Sequence, residues 1–198
     1  MSETKTRREP VKSVENATLY SDGTILLKNV RASYPHIFKP SAFEGGEPSY
    51  SIKALLPKAS HAKAKKLLDE SIAKLLTDNK AKPIAADKLF VRDGDATGKS
   101  EEADSWTVSA REKKRPVVRD RQKNPVDSAD GDGMFYGGCW VNVLIRPWLQ
   151  DNKFGRRCNA NFLAIQFVKD DAPFGEGRIG EDVVDDTFDT VDGEDDEI

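Results

Sequence analysis

Residues 139–168 read CWVNVLIRPWLQDNKFGRRCNANFLAIQFV, and this stretch decides the fold. Cys139, Val141, Val143 and Ile145 alternate with Trp140, Asn142, Leu144, Arg146 and Trp148. A period of two marks a strand with one apolar face. Cys158–Val168 is a second strong strand, and Asp151–Gly155 (DNKFG) between them is turn chemistry. The pair predicts an antiparallel hairpin. The cysteine-to-isoleucine face of its first strand is interior. The opposite face mixes two tryptophans with Asn142 and Arg146, which suits a wet aromatic platform or a surface covered by a helix or loop.

Working outward, the chain stays rich in β signals. Thr24–Tyr34 (TILLKNVRASY) is a strand that Pro35 ends. Tyr50, Ile52, Ala54 and Leu56 alternate with Ser49, Ser51, Lys53 and Leu55 up to Pro57. Leu89–Val91, Trp106–Ala110 and Pro116–Arg119 are short strands, and Met134–Leu149 is a long one. The single convincing helix is Ser60–Asp78, with Ser60 as its N-cap. Ala64, Leu67, Leu68, Ile72, Leu75 and Leu76 recur at helical spacing, and His61 is a solvated first-turn residue. One helix among five to seven β segments predicts a mainly β chain, a small barrel with an inserted helix at about 60–78.

The chain has 198 residues and a net charge of −3 that conceals a split. Residues 170–198 carry 13 acids and one base, whereas residues 1–169 are net +9. A basic body points to a polyanionic partner, and an acidic tail to an interaction or self-shielding element. No apolar run approaches the roughly 20 residues of a membrane span. The first ten residues, MSETKTRREP, lack the apolar core of a secretory signal. The two cysteines, Cys139 and Cys158, sit near opposite ends of the hairpin, too far apart to bridge. They are expected to be reduced thiols.

Two motifs fail on inspection. Asp93–Ser100 (DGDATGKS) puts Asp93 where a phosphate-binding P-loop needs its first glycine. No frame of Asp127–Gly133 (DSADGDG) supplies the ligand order of a calcium loop. Catalytic combinations built on His36 or His61 are missing, and no metal or other cofactor is expected.

The informative cluster is Arg111–Lys123 (REKKRPVVRDRQK), net +5, with Arg111, Lys113, Lys114, Arg115, Arg119 and Arg121. Such cations bind a phosphate backbone by releasing counterions. Exposed rings would supply the second half of a single-strand site, because bases stack on them for about 1–3 kcal/mol each. Candidates are Tyr34, Tyr136, Trp140, Trp148 and Phe154. Arg31, Lys53, Arg146, Arg156 and Arg157 complete the candidate set.

Six collinear stretches over about residues 24–175 resemble a family of tailed-phage single-stranded-DNA-binding proteins. They are Asn29–Pro35 with Phe38 (NVRASYP…F), Leu55–Lys58 (LLPK), Arg92–Asp95 (RDGD), Pro116–Asp120 (PVVRD), Tyr136–Val143 (YGGCWVNV) and Asn159–Val168 (NANFLAIQFV). The chain departs from the family pattern at Arg157, Cys158 and Leu163. The resemblance implies an OB-fold five-stranded barrel with extra β-hairpins. It also implies sequence-independent binding of single-stranded DNA in phage replication or recombination, and an acidic tail.

The expected organisation is a flexible lead over residues 1–15, an OB-like domain over 16–175 and a disordered acidic tail over 176–198. The expected role is non-catalytic, in the cytoplasm of an infected bacterium, with no membrane partner. Single-stranded DNA is the expected ligand. Asp192, Glu194, Asp195, Asp196, Glu197 and Ile198 are the expected contacts to phage or host replication proteins. Two other classes stay open: a metal-dependent nuclease and an adaptor built around the tail.

Overall fold

The computed structural model describes residues 8–42, 44–131, 133–175 and 186–188. The predicted hairpin is its dominant feature. β8 (Trp140–Asn152) and β9 (Gly155–Lys169) form one antiparallel ladder from Trp140↔Lys169 to Asn152↔Gly155. The turn is therefore only Lys153 and Phe154, followed by Gly155 at φ +106°. The strand predicted to begin at Met134 begins at Trp140. Glycines at 137 and 138, the latter at φ +116°, turn the chain just before it.

Five strands close a barrel. β3 (Ile25–Ser41) pairs with β4 (Ser49–Pro57), which pairs with β6 (Ser105–Glu112), all antiparallel. β6 meets β9 in parallel at Arg111↔Asn161, and β8 returns to β3. The ring β3–β4–β6–β9–β8–β3 is the OB-fold order. Further strands flank it. β1 (Pro10–Val14) and β2 (Ala17–Tyr20) form a hairpin on β3, β5 (Val91–Asp93) lies on β6, and β7 (Val117–Arg119) lies on β9. Residues 10–14, placed in a flexible lead by their polar composition, are thus paired to β2, and Val14 packs against the core. Residues 176–185 and 189–198, which hold nearly all of the predicted tail, lie outside the described residues.

The alternation read from the sequence fills the interior. Ile25, Leu27, Val30, Val141, Val143, Ile145 and Phe162 are fully buried. Each such side chain contributes about 1.5–3 kcal/mol through burial. Cys139 and Cys158 are also buried and unbridged, near opposite ends of the hairpin. Burial pushes the Cys158 thiol up to about 11.

Two local expectations are corrected. β3 does not end at Pro35 but runs on to Ser41. Its register with β4 shifts between Ser33 and His36, so Pro35 lies in a bulge, where a missing N–H breaks no ladder bond. Helix α1 (Lys58–Asp78) starts two residues earlier than expected, with Pro57 at the N-cap position and no side-chain cap from Ser60. Ser60 Oγ instead lies 2.8 Å from His61 Nδ1, and His61 Nε2 donates to the Lys28 carbonyl at 2.9 Å. His61 is 1% exposed, and its φ of −118° kinks the first turn. Its side chain is a buried link between helix and barrel, not a solvated one. The rest of α1 follows its pattern, burying Ala64, Leu67, Leu68 and Ile72. A second, one-turn helix, α2, spans Ser128–Gly131.

Candidate nucleic-acid interface

The outward face of β3, β4 and β6 follows from strand register. Ala32, Ala54, Val108 and Val91 align across four strands and are all buried in the core. The neighbouring positions therefore point outward. They form three rows: Trp140–Arg31–Leu55–Thr107, then Ser33–Lys53–Ser109, then His36–Ser51–Arg111. Leu55, Thr107 and Ser33 are covered and buried, so the accessible part of the face is Lys53–Ser109 and His36–Ser51–Arg111, where hydroxyls and cations make it polar and positive.

Tyr34 stands beside the middle row. The bulge holds it at φ 47°, and it is 58% exposed. Lys99 Nζ lies 5.5 Å from its ring centroid. Lys99 comes from a wall made by two short 3-10 turns, Gly94–Thr97 and Ser100–Glu102, packed against β6. Gly94 permits that packing, because a Cβ there would meet the Glu102 carbonyl oxygen at 2.1 Å. Behind the wall, Lys58 bonds Asp93 and Asp95, both at 2.7 Å. Those two hydrogen bonds hold the Lys58 ammonium above its ordinary pKa.

The candidate residues fall into four places. Tyr34, Lys53 and Arg111 share the outward face just described. Arg31, Tyr136 and Trp140 do not lie open but are clasped by residues 170–174. Arg31 Nη2 donates to the Ala172 carbonyl at 2.8 Å, and its guanidinium lies 4.4 Å from the Phe174 ring centroid. Trp140 Nε1 donates to Asp171 Oδ2 at 2.7 Å. That bond is the main reason the Asp171 carboxyl titrates below its ordinary value. The Tyr136 hydroxyl donates to the Asp171 carbonyl at 2.9 Å.

The third place is the end of the hairpin. Phe154 is 76% exposed and Trp148 39% exposed there. Arg156 is paired with Asp151 at 3.1 Å, Arg157 is exposed, and Arg146 is 3.7 Å from Asp22. The fourth place is the cluster after β6. Lys113 pairs with Glu47, Lys114 is exposed, and Arg115 lies over Phe38. Arg119 Nη1 donates to the Val118 carbonyl at 3.0 Å on its own strand, and Arg121 donates to the Val168 carbonyl of β9. Trp140 and Trp148 thus do face outward with Asn142 and Arg146, but only Trp148 stands clear of the 170–174 segment. The tail contacts Asp192, Glu194, Asp195, Asp196, Glu197 and Ile198 lie outside the described residues.

Sequence reasoning missed Lys99, Ser109 and Glu102. Lys99 lies within the failed P-loop match, and that motif speaks only to a phosphate cradle. Among the described residues, no three His, Cys, Asp or Glu side chains gather into a metal-ligating group.

A family model described as Enterobacter phage Enc34, ssDNA-binding protein, matches residues 23–198. The single-stranded DNA-binding protein from bacteriophage Enc34, solved in complex with ssDNA, is 44% identical. That match covers 86% of this chain and 99% of that one, with a TM-score of 0.81. Protein p50 of Acyrthosiphon pisum secondary endosymbiont phage 1 is 29% identical over 168 residues, covering 78% of this chain and 88% of that protein. The crystal structure of gp2.5, a single-stranded DNA binding protein of bacteriophage T7, is 16% identical. It covers 87% of this chain and 94% of that one with a TM-score of 0.51, a likeness of fold alone.

Proposed function

The chain belongs to the Enc34 phage ssDNA-binding protein family, and from that premise we propose that it coats single-stranded DNA without catalysis and without sequence preference. The observation that carries the proposal is Tyr34, held out of the sheet by a bulge on a face lined by Lys53, Lys99 and Arg111. An exposed ring among cations and small hydroxyls matches what a single strand offers, an aromatic base and a phosphate at every step. Arg111, Lys114 and Arg157, exposed and outside any ion pair among the described residues, supply phosphate contacts. Phe154 and Trp148 at the hairpin end extend the stacking surface.

We read residues 16–175 as the binding domain, continued at its start by β1, and residues 176–198 as an acidic tail. Residues 180–198 hold ten acids and no base. Tethered to a basic body, such a segment competes with DNA and offers replication proteins an acidic ligand. The site of action is the cytoplasm of the infected host. The test is a fluorescence titration with single-stranded and duplex oligonucleotides at two salt concentrations. Salt-sensitive binding that favours the single strand supports the proposal, and no binding to either overturns it. Loss of the oligonucleotide over time with magnesium, abolished by a chelator, would replace it with the nuclease alternative.

A further inference from the structure

Glu102 is 0% exposed, a rare position for a carboxylate. Its Oε1 accepts from Lys53 Nζ at 2.6 Å and lies 3.9 Å from Lys99 Nζ. Its Oε2 has no hydrogen-bond partner. Burial alone would raise its pKa. The Lys53 bond, the Thr97 hydroxyl and the two ammonium charges outweigh burial and bring it below the ordinary value. The carboxylate is therefore charged at neutral pH and cancels one lysine. Breaking such a pair from one side leaves a buried charge uncompensated, so the pairing is obligatory.

The cancelled lysine sits at the centre of the outward face. Lys53 is in register with Ser33 on one side and Ser109 on the other, and its side chain is 26% exposed. The same Glu102 oxygen leads through Lys99 to the Tyr34 ring, 5.5 Å away. An ammonium has three donors, and Glu102 uses one. What remains is a hydrogen-bond donor whose net charge is already neutralised, flanked by the exposed Ser109 hydroxyl, beside an exposed ring. Arg111, one row away, makes no ion pair among the described residues and keeps its full charge.

We infer that Glu102 converts Lys53 from a phosphate counter-charge into a donor for a nucleobase edge, so that Tyr34, Lys53 and Ser109 form a base subsite within the cationic face. Its ligand is a base stacked on Tyr34 that presents a carbonyl oxygen or ring nitrogen to Lys53. The phosphates run along the uncompensated cations on either side. The inference rests on the proposed single-strand binding and names where on the face a base is held.

Salt dependence separates the two kinds of contact, because only a phosphate contact releases counterions, at about 0.7 in log–log slope per contact on single strands. The experiment titrates full-length protein with a fluorescein-labelled oligothymidylate across a salt series. Lys53→Met combined with Glu102→Gln removes both charges together, so no buried ion is stranded. Expected is a loss of affinity of about fivefold, the worth of an ordinary hydrogen bond, with the salt slope unchanged. Arg111→Ala, the internal standard, should flatten the slope by about 0.7. Glu102→Gln alone should steepen it by up to about 0.7, because Lys53 regains its charge. A double variant that flattens the slope as Arg111→Ala does, or that keeps full affinity, overturns the inference. Failure of the unmodified protein to bind the oligonucleotide overturns the proposed function instead.

Discussion

Gly138 and Ala172 are in backbone contact: a Cβ on Gly138 would sit 2.4 Å from the Ala172 carbonyl oxygen. Gly138 N–H also donates to the Ala32 carbonyl at 2.8 Å, so the turn before β8 is pinned between β3 and the segment that leaves β9. Gly138→Ala should therefore destabilise the fold twice over. The φ of +116° strains any side chain, at about 1–3 kcal/mol, and the methyl displaces residues 172–174. Urea denaturation should show the loss, and limited proteolysis should show earlier cleavage near residue 172. Unchanged stability would mean that the segment is not held there.

Tyr34 and Trp140 should respond differently to removal. Tyr34→Ala deletes an exposed ring and should cost about 1–3 kcal/mol of single-strand affinity with little change in melting temperature. Trp140→Phe loses the indole bond to Asp171 and should loosen the 170–174 clasp, with a smaller direct effect on binding. Paired melting curves and titrations decide. A Tyr34→Ala variant that binds normally would remove this ring from the site.

The cations after β6 are not equivalent. Replacing Arg111, Lys113, Lys114 and Arg115 together by Ala should weaken binding and flatten the salt slope, by about 0.7 for each phosphate left without its cation. Lys113→Ala alone should do less than Lys114→Ala, because Glu47 already compensates the Lys113 charge. A steep slope surviving in the fourfold variant would place the phosphate path elsewhere.

Both thiols should be silent in the native protein. Cys139 and Cys158 are buried, and burial is the main force raising both pKa values, Cys158 to about 11. A thiol reagent at pH 8 should label neither until denaturant is added, and then both. Because the folded pKa lies above the unfolded one, the neutral thiol contributes stability below about pH 9. That contribution is lost as pH rises from there toward 11. Rapid labelling of the native state would contradict the packing.

Deleting residues 180–198 should raise single-strand affinity at low salt, with the gain shrinking as salt screens the tail. The same deletion should abolish capture of any replication protein that reads the acidic run. If the shortened protein binds DNA no better at low salt, the tail does not compete for the face, and only the recruitment role survives.

The sequence by itself determined the hairpin at 139–168, its interior face, the helix over most of its length and the cationic body. All of these are local: alternation, a helical period and a charge count need no knowledge of what lies across the barrel. Tertiary structure decided what local pattern leaves open. Pro35 reads as a strand end, yet a register shift against β4 lets the strand pass through it. His61 reads as solvated, yet the Lys28 carbonyl, 33 residues away in sequence, accepts its ring N–H. Trp140 shares an outward face with Trp148, yet residues 170–174 return to cover one and not the other. Lys53 reads as one more cation, yet Glu102, 49 residues on, neutralises it. In each case the deciding partner lies on another element of the chain, and only the folded packing sets where it sits.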